Sequence, residues 1–489
     1  MRILPLALLG LLWMPAYAEE GGAAVAAQAT MVPTGLVGVV PVPLGAFLGS
    51  SRTTQPTETT VGQPTEAAPA PQVAVPAHLD VSLSDRLMSL VGTFVLLLIA
   101  WGLSTNRRKV PWRLVAWGIG LQFAFGLLLL RSSTGRAVFD GIKDGVNKLL
   151  EFTLVGVRFL FGPLMDQGFV IVLHVLTTII FFSALLAVLY HLRIMHFVVG
   201  GIAWLVQRTL GTSGAESLNA AGNIFVGQTE APLLIRPFIK DMTRSELMAV
   251  MVGGFATVAG GVFAAYVGLF KDVFPDIAGH ILTASVMSAP AALLIAKLMM
   301  PEDGVPVTAG RVARMEKSEY SNVIEAAAKG AGDGLLLMLN VAAMLLAFIA
   351  LVAMLNFLIG MVGGWFGFEG LSMELILGKA LSPLAWLMGV PWQDCEIVGS
   401  LFGTKTVLNE FVAYMQLSDQ IHQLQPRSIV IATYALCGFA NFGSIAIQIG
   451  GIGTIAPERR GDLARLGMRA MVGGTLAAFL TGTIAGIIL

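Results

Sequence analysis

Hydrophobic and polar positions alternate along this chain in long blocks. Apolar runs with few charges lie at about 87–104, 114–130, 169–192, 245–270, 281–300, 334–362, 427–449 and 468–489. A helix rises about 1.5 Å per residue, so runs of this length can cross a hydrocarbon core of roughly 30 Å. Between them, 138–162 mixes Asp140, Lys143, Asp144, Lys148 and Glu151 with apolar residues at helical spacing, and 197–210 has a similar character. Both are expected to lie along a membrane surface. The stretches around Gly222 and Gly403 are too polar and Gly-rich to span and are expected to be re-entrant helical hairpins, because irregular backbone survives at membrane depth only where protein or a wet cavity covers it. The expected fold is an all-α polytopic membrane protein. It has eight transmembrane helices, two re-entrant hairpins, broken helices in an inverted repeat and interfacial amphipathic helices.

The placement of cations gives this pattern a direction. Arg107, Arg108, Lys109 and Arg113 follow the first run, Arg311, Arg314, Lys317 and Lys329 follow the fifth, and Arg459, Arg460, Arg465 and Arg469 precede the last. Alternating sides from Leu87 puts all three clusters on one side only if neither hairpin crosses fully, and the positive-inside bias makes that side cytoplasmic. Residues 1–18 combine Arg2, a short apolar centre and Ala16-Tyr17-Ala18, and read as a secretory signal peptide, with an uncleaved extra helix as the alternative. Residues 19–80, rich in Ala, Pro and Thr, are expected to form a disordered periplasmic linker. The remaining organisation follows: 81–196 scaffold helices and interfacial helix, 197–300 first hairpin and broken helix, 301–395 cytoplasmic loop and long scaffold helix, 396–455 second hairpin and broken helix, 456–489 final helix. The residues before Leu87 are expected on the outer side of the membrane.

Composition narrows the chemistry. The 489 residues are 56% hydrophobic and 12% charged, with 30 basic and 30 acidic side chains, so a soluble protein is excluded and no electrostatic case exists for nucleic acid. Two cysteines, Cys395 and Cys437, make no disulfide framework and have no His or Cys nearby at metal-ligand spacing. Small residues are scattered through the apolar runs, where pairs such as Gly360 and Gly364 read as packing features. His191 and His196 read as interfacial residues, with a proton relay as the alternative.

The chemistry concentrates between Gly222 and Val262, where Asn223, Gln228, Thr229 and Glu230 sit among apolar neighbours. A carboxylate there needs a partner or a function. The stretch has an echo: Gly254-Phe255-Ala256 follows Glu230 as Gly438-Phe439-Ala440 follows Glu410, each within a helix interrupted by polar residues. An inverted pair of such segments meeting at mid-membrane is an alternating-access arrangement. Glu230 and Glu410 could serve as ligand groups, as an acid/base pair for hydrolysis, or as ties within the hairpins. As ligands they accept hydrogen bonds from sugar hydroxyls, while Gln228, Thr229 and Asn441 offer donors and acceptors to a polar heterocycle. Asn223, the Val226 carbonyl, Thr257 and the Val258 carbonyl form a second group of neutral oxygens suited to a small hard cation. Two apparent motifs carry no weight. Gly399–Thr406 lacks the spacing of a phosphate loop, with Lys405 instead a candidate brace for the second hairpin, and Gly451–Ala456 lacks the strand of a dinucleotide fingerprint.

The runs GNIFVGQTEAPLLIRPF, GGFATVAGG, NVIEAAAKGAGDG, TKTVLNEFVAY and GFANFGSIAIQIGG, in this order, closely resemble the concentrative nucleoside transporters over about 87–489. The resemblance implies sodium-coupled nucleoside symport by alternating access, with proton coupling as an alternative and an intramembrane nucleoside hydrolase as a distant one. It implies no enzymatic cofactor, uridine, cytidine and adenosine as substrates, sodium as coupling ion, a homotrimer, and a location in the bacterial inner (plasma) membrane with a periplasmic N-terminus. It assigns Gln228, Thr229, Glu230 and Val262 to the base, Glu410, Asn441 and Ser444 to the ribose, and Phe439 to packing against the ligand. Sodium maps onto Asn223, Val226, Thr257 and Val258, with Thr257 keeping the hydroxyl where some members have Ser.

Overall fold

The computed structural model describes residues 73, 81–166, 170–311, 313, 320–368 and 370–489. The expected signal peptide and all of the expected linker but Val73 lie outside the described residues. Among the described residues all regular structure is helical. α1 (Leu83–Gly102) and α2 (Trp112–Leu130) are followed by α3 (Ser133–Phe161), the amphipathic segment, five residues longer at its start than the pattern predicts. A π-helical turn at Val172–Leu176 leads into α4 (Thr178–His191), and α5 (Ile194–Leu210) delivers the chain to the first hairpin.

That hairpin is α6 (Gly214–Gly222), an irregular tip, a 3-10 turn at Ala231–Ile235 and the short α7 (Arg236–Ile239). A broken helix, α8 (Arg244–Ala256) and α9 (Gly260–Phe270), and then α10 (Ile277–Met299) complete the first repeat. The second repeat begins with α11 (Val323–Trp365), and α12 (Met373–Leu387) packs along α13 (Cys395–Val407), which forms the second hairpin with α14 (Glu410–Gln420). It ends with the broken pair α15 (Pro426–Leu436) and α16 (Phe442–Ile455) and with α17 (Arg460–Ile488).

Seven helical stretches among the described residues are long and apolar enough to cross a membrane. The eighth expected span, 427–449, is divided at Cys437–Asn441 into α15 and α16, each too short to cross alone. α11 begins at Val323, well before the expected Gly334, because Glu325, Lys329 and Asp333 end an apolar run without ending a helix. A Cβ at Gly360 would stand 3.7 Å from the Leu371 carbonyl, whereas one at Gly364 would have nothing within 4 Å among the described residues, so only one member of that expected packing pair approaches a neighbour there.

Hydrogen bonds across the helix ends show that the repeats are inverted. The start of α8 lies by the end of α1, since Ser245 Oγ donates to Met300 O at 2.7 Å and Thr105 N–H donates to Met299 O at 2.9 Å. The start of α15 lies by the other end of α1, since Arg427 Nη2 donates to Asp85 O at 3.1 Å and to Ser89 Oγ at 2.8 Å. A 20-residue helix is about 30 Å long, so the two broken helices begin on opposite sides of the membrane-thick layer. α8 and α10 are almost wholly buried, whereas α11 exposes Leu336, Leu346 and Phe357 along its length. The buried helices are the interior against which the hairpins stand.

Candidate functional site

Each hairpin is anchored by side chains its local sequence supplies. Ser213 and Glu216 form a reciprocal capping box at the start of α6, and Thr243 and Glu246 form another at the start of α8. Ser213 Oγ also donates to Glu246 Oε1 at 2.7 Å, joining the two caps. Lys297, buried at the end of α10, pairs with Glu216 and reaches Glu302 at 3.0 Å and Ser245 at 2.9 Å. Glu302 stands outside the spans. Burial pushes its carboxyl up, but the Lys297 charge and hydrogen bonds from Lys297, the Gly304 N–H and Thr243 outweigh burial and hold it below the ordinary carboxylate value. In the second repeat Asp394 Oδ2 accepts from Ser428 Oγ at 2.5 Å and from the Gln425 N–H at 2.9 Å, tying the foot of α13 to α15. Lys405 braces this hairpin as expected, donating to the Ala435 carbonyl at 2.7 Å.

The two helix breaks lie against one another. The Phe439 N–H donates to the Thr257 carbonyl at 3.3 Å. Gly438, at φ 146°, brings its Cα so close to α8 that an added Cβ would stand 2.7 Å from the Phe255 carbonyl. The sequence echo is therefore offset in register. Gly254-Phe255-Ala256 is the last turn of α8 and the break follows it, whereas Gly438-Phe439-Ala440 lies inside the second break.

Around this crossing runs a buried chain of hydrogen bonds. Tyr266 on α9 donates to Glu410 Oε1 at 3.0 Å, and Asn441 Nδ2 donates to Oε2 at 3.1 Å. Asn441 Oδ1 caps α16 by accepting from the Ser444 N–H at 2.9 Å. Gln228 Nε2 is 3.3 Å from Ser444 Oγ, and Gln448 Nε2 donates at 3.1 Å both to Gln228 Oε1 and to the Met251 carbonyl. Both hairpins and both broken helices contribute to it. Val262 and Tyr266 lie one turn apart on α9, both buried, and Phe439 is half-buried at the second break.

Glu230 and Thr229 take no part in this chain. Glu230 lines a cavity of about 400 Å³ together with Val226, Gly227, Tyr190, His196 and Asp333. Thr229 lies against Gly451 of α16. The structure thus brings Gln228, Glu410, Asn441 and Ser444 together and sets Glu230 on the cavity side, apart from Glu410.

One member of the neutral-oxygen group stands out. Asn223, the cap residue at the end of α6, is 1% exposed, yet neither its amide oxygen nor its nitrogen has a hydrogen-bond partner among the described residues. A buried amide without partners is costly unless something else satisfies it. Thr257 Oγ1 donates to the Gly253 carbonyl at 2.9 Å, so its lone pairs remain available. These donors fit a small cation, which carboxylate-free oxygen sites hold without burying net negative charge.

Tyr266 and Gln448 are members of the chain that the sequence reading missed. The signal was present, since each is a lone polar residue one helical turn beyond an assigned one, Val262 and Ser444.

Three family descriptions match this chain: Na+ dependent nucleoside transporter N-terminus over 91–164, Nucleoside recognition over 172–272, and Na+ dependent nucleoside transporter C-terminus over 280–486. An uncharacterized transporter of Bacillus subtilis, YutK, is 45% identical over 403 residues, covering 82% of this chain and 98% of its own. The chain belongs to the concentrative nucleoside transporter family. Solute carrier family 28 member 3 of Eptatretus stoutii is 43% identical over 83% of this family member, which spans only 61% of that relative's length. Sodium/nucleoside cotransporter 1 of Mus musculus is 40% identical, with 83% and 64% covered. A structure described as CNTnw in an inward-facing substrate-bound state superposes with a TM-score of 0.77 at 44% identity, covering 83% of this chain and 98% of that one. By their names these relatives are transporters, and none is named as an enzyme.

Proposed function

We propose that the protein is a sodium-coupled nucleoside symporter of a bacterial inner membrane, working by alternating access as a homotrimer with its N-terminus in the periplasm. The observation that carries this reading is the buried chain from Tyr266 through Glu410, Asn441, Ser444 and Gln228 to Gln448, which joins both hairpins at the crossing of both breaks. A ligand held there touches every part that has to move. Glu410, Asn441 and Ser444 take the ribose hydroxyls, Gln228, Thr229, Glu230 and Val262 face the base, and Phe439 packs on the ligand. Uridine, cytidine and adenosine are the substrates this set serves.

Sodium sits at Asn223 and Thr257 with the Val226 and Val258 carbonyls. The unpartnered amide of Asn223 supports this assignment. The 400 Å³ cavity runs beside Tyr190 near the end of α4 and Asp333 near the start of α11. In the proposed orientation that is the cytoplasmic half, so the cavity is the inward route for substrate.

Uptake of labelled uridine and adenosine into proteoliposomes, with and without a sodium gradient, tests the reading directly. Concentrative uptake that disappears when external sodium is replaced by choline at fixed pH is the expected result. Undiminished concentrative uptake in choline supports proton coupling and ends the sodium assignment. No uptake in either medium ends the transport reading.

A further inference from the structure

We infer that Gln448 is a positioning residue that turns the Gln228 amide so that its NH2 group, not its carbonyl, faces the nucleobase; this rests on the transport reading above. The argument runs through obligatory donors and acceptors. Gln448 is wholly buried on α16, one turn beyond Ser444. Its Nε2 lies 3.1 Å from the backbone carbonyl of Met251, which can only accept, so the NH2 end of Gln448 must point there. The same NH2 group lies 3.1 Å from Gln228, and only Oε1 of Gln228 can accept its second proton. The Gln228 NH2 group is thereby directed the other way, where one of its protons meets Ser444 Oγ at 3.3 Å and the second is the one a base acceptor would take.

The space for this arrangement is made on purpose by the local sequence. A Cβ at Gly254 would stand 2.7 Å from Gln448 Nε2 and 2.8 Å from Gln228 Cβ, so the absence of a side chain there lets the two glutamines meet. Gln448 Oε1 has no protein partner among the described residues, so the side chain is held by its donor end alone. The orientation has a chemical consequence: the site reads a hydrogen-bond acceptor on the base, a ring nitrogen or carbonyl oxygen. Removing Gln448 frees Gln228 to turn over and divides its population between a matching and a mismatching face.

A kinetic double-mutant cycle tests this. Uridine uptake is measured in proteoliposomes for the wild-type protein, Gln448→Leu, Gln228→Leu and the double variant, with Gln448→Met as a second, unbranched replacement where the Leu variant is not monodisperse. Gln448→Leu or Gln448→Met is expected to raise KM about tenfold with Vmax within about twofold. In the Gln228→Leu background the same change should move KM by less than about twofold, because the group it positions is gone. Equal fold-changes in the two backgrounds, or a fall in Vmax at unchanged KM, overturn the role of Gln448 while leaving the transport reading intact. Absence of uridine uptake by the wild-type protein overturns the transport reading itself.

Discussion

Both carboxylate oxygens of Glu410 accept hydrogen bonds from protein, and this makes its charge specific. Tyr266 and Asn441 each present a proton to it; a glutamine at 410 could keep both contacts only by turning its NH2 to Tyr266, whose hydroxyl would then accept, and it would lose the charge. Glu410→Gln should therefore lower uridine uptake by on the order of a hundredfold, the scale expected when a buried charged partner is lost, while protein remains in the membrane; near-normal uptake would remove the ribose-ligand role. Asn223→Ala addresses the other group. It should raise the sodium concentration for half-maximal uptake by about tenfold, or about 1.4 kcal/mol, leaving uridine KM at saturating sodium nearly unchanged, and an unaltered sodium curve would dismiss the site. Glu410, Asn441 and Gln228 stand out in the sequence as polar groups inside apolar runs, which must find partners, whereas Ser444 comes from the family resemblance. Tyr266 and Gln448 carry the same signal more faintly, because a solitary Tyr or Gln in such a run is compatible with any wet edge, and only the fold shows which neighbour it meets.

Among the elements, the apolar blocks placed the spans well, since length and hydropathy alone decide what a bilayer accepts. They failed where charge and helicity part company: Glu325 to Asp333 extend α11 beyond the apolar run, and α12 carries Glu374 and Lys379 on a helix that packs along the second hairpin. The register of the breaks was also illegible, because it depends on Gly438 crossing α8. Gly438→Ala combines a disfavoured φ with a clash at the Phe255 carbonyl, and should destabilise the protein by about 2 kcal/mol or more, measured as a lower thermal midpoint in detergent. The anchor at Lys297 gives a pH signature. Because the Glu302 carboxyl titrates below its ordinary value in the folded protein, its contribution is fully present above about pH 4.5 and is lost as pH falls through the lower folded value. Melting curves should show the thermal midpoint falling on acidification through this range, and Glu302→Gln should flatten that part of the dependence.

For the whole molecule, orientation can be checked without building a cysteine-free background. Cys395 and Cys437 are both buried, so a single exposed cysteine introduced as Val305→Cys should be the reactive thiol among the described residues. A membrane-impermeant maleimide should label it in inside-out vesicles and not in intact cells; labelling in intact cells would reverse the proposed topology. The inversion of the repeats was partly legible from the alternation of basic clusters, but the contact between their breaks was not, since it joins segments far apart in sequence. That contact bears on how such a chain can be divided. Each break finds cover in the opposite repeat, through the Phe439 N–H on the Thr257 carbonyl and Gly438 against the end of α8. A half-length protein would expose that uncovered backbone to lipid. Severing the chain at the exposed segment near Val305 should give two polypeptides that are each degraded when produced singly and that restore uptake by complementation when produced together.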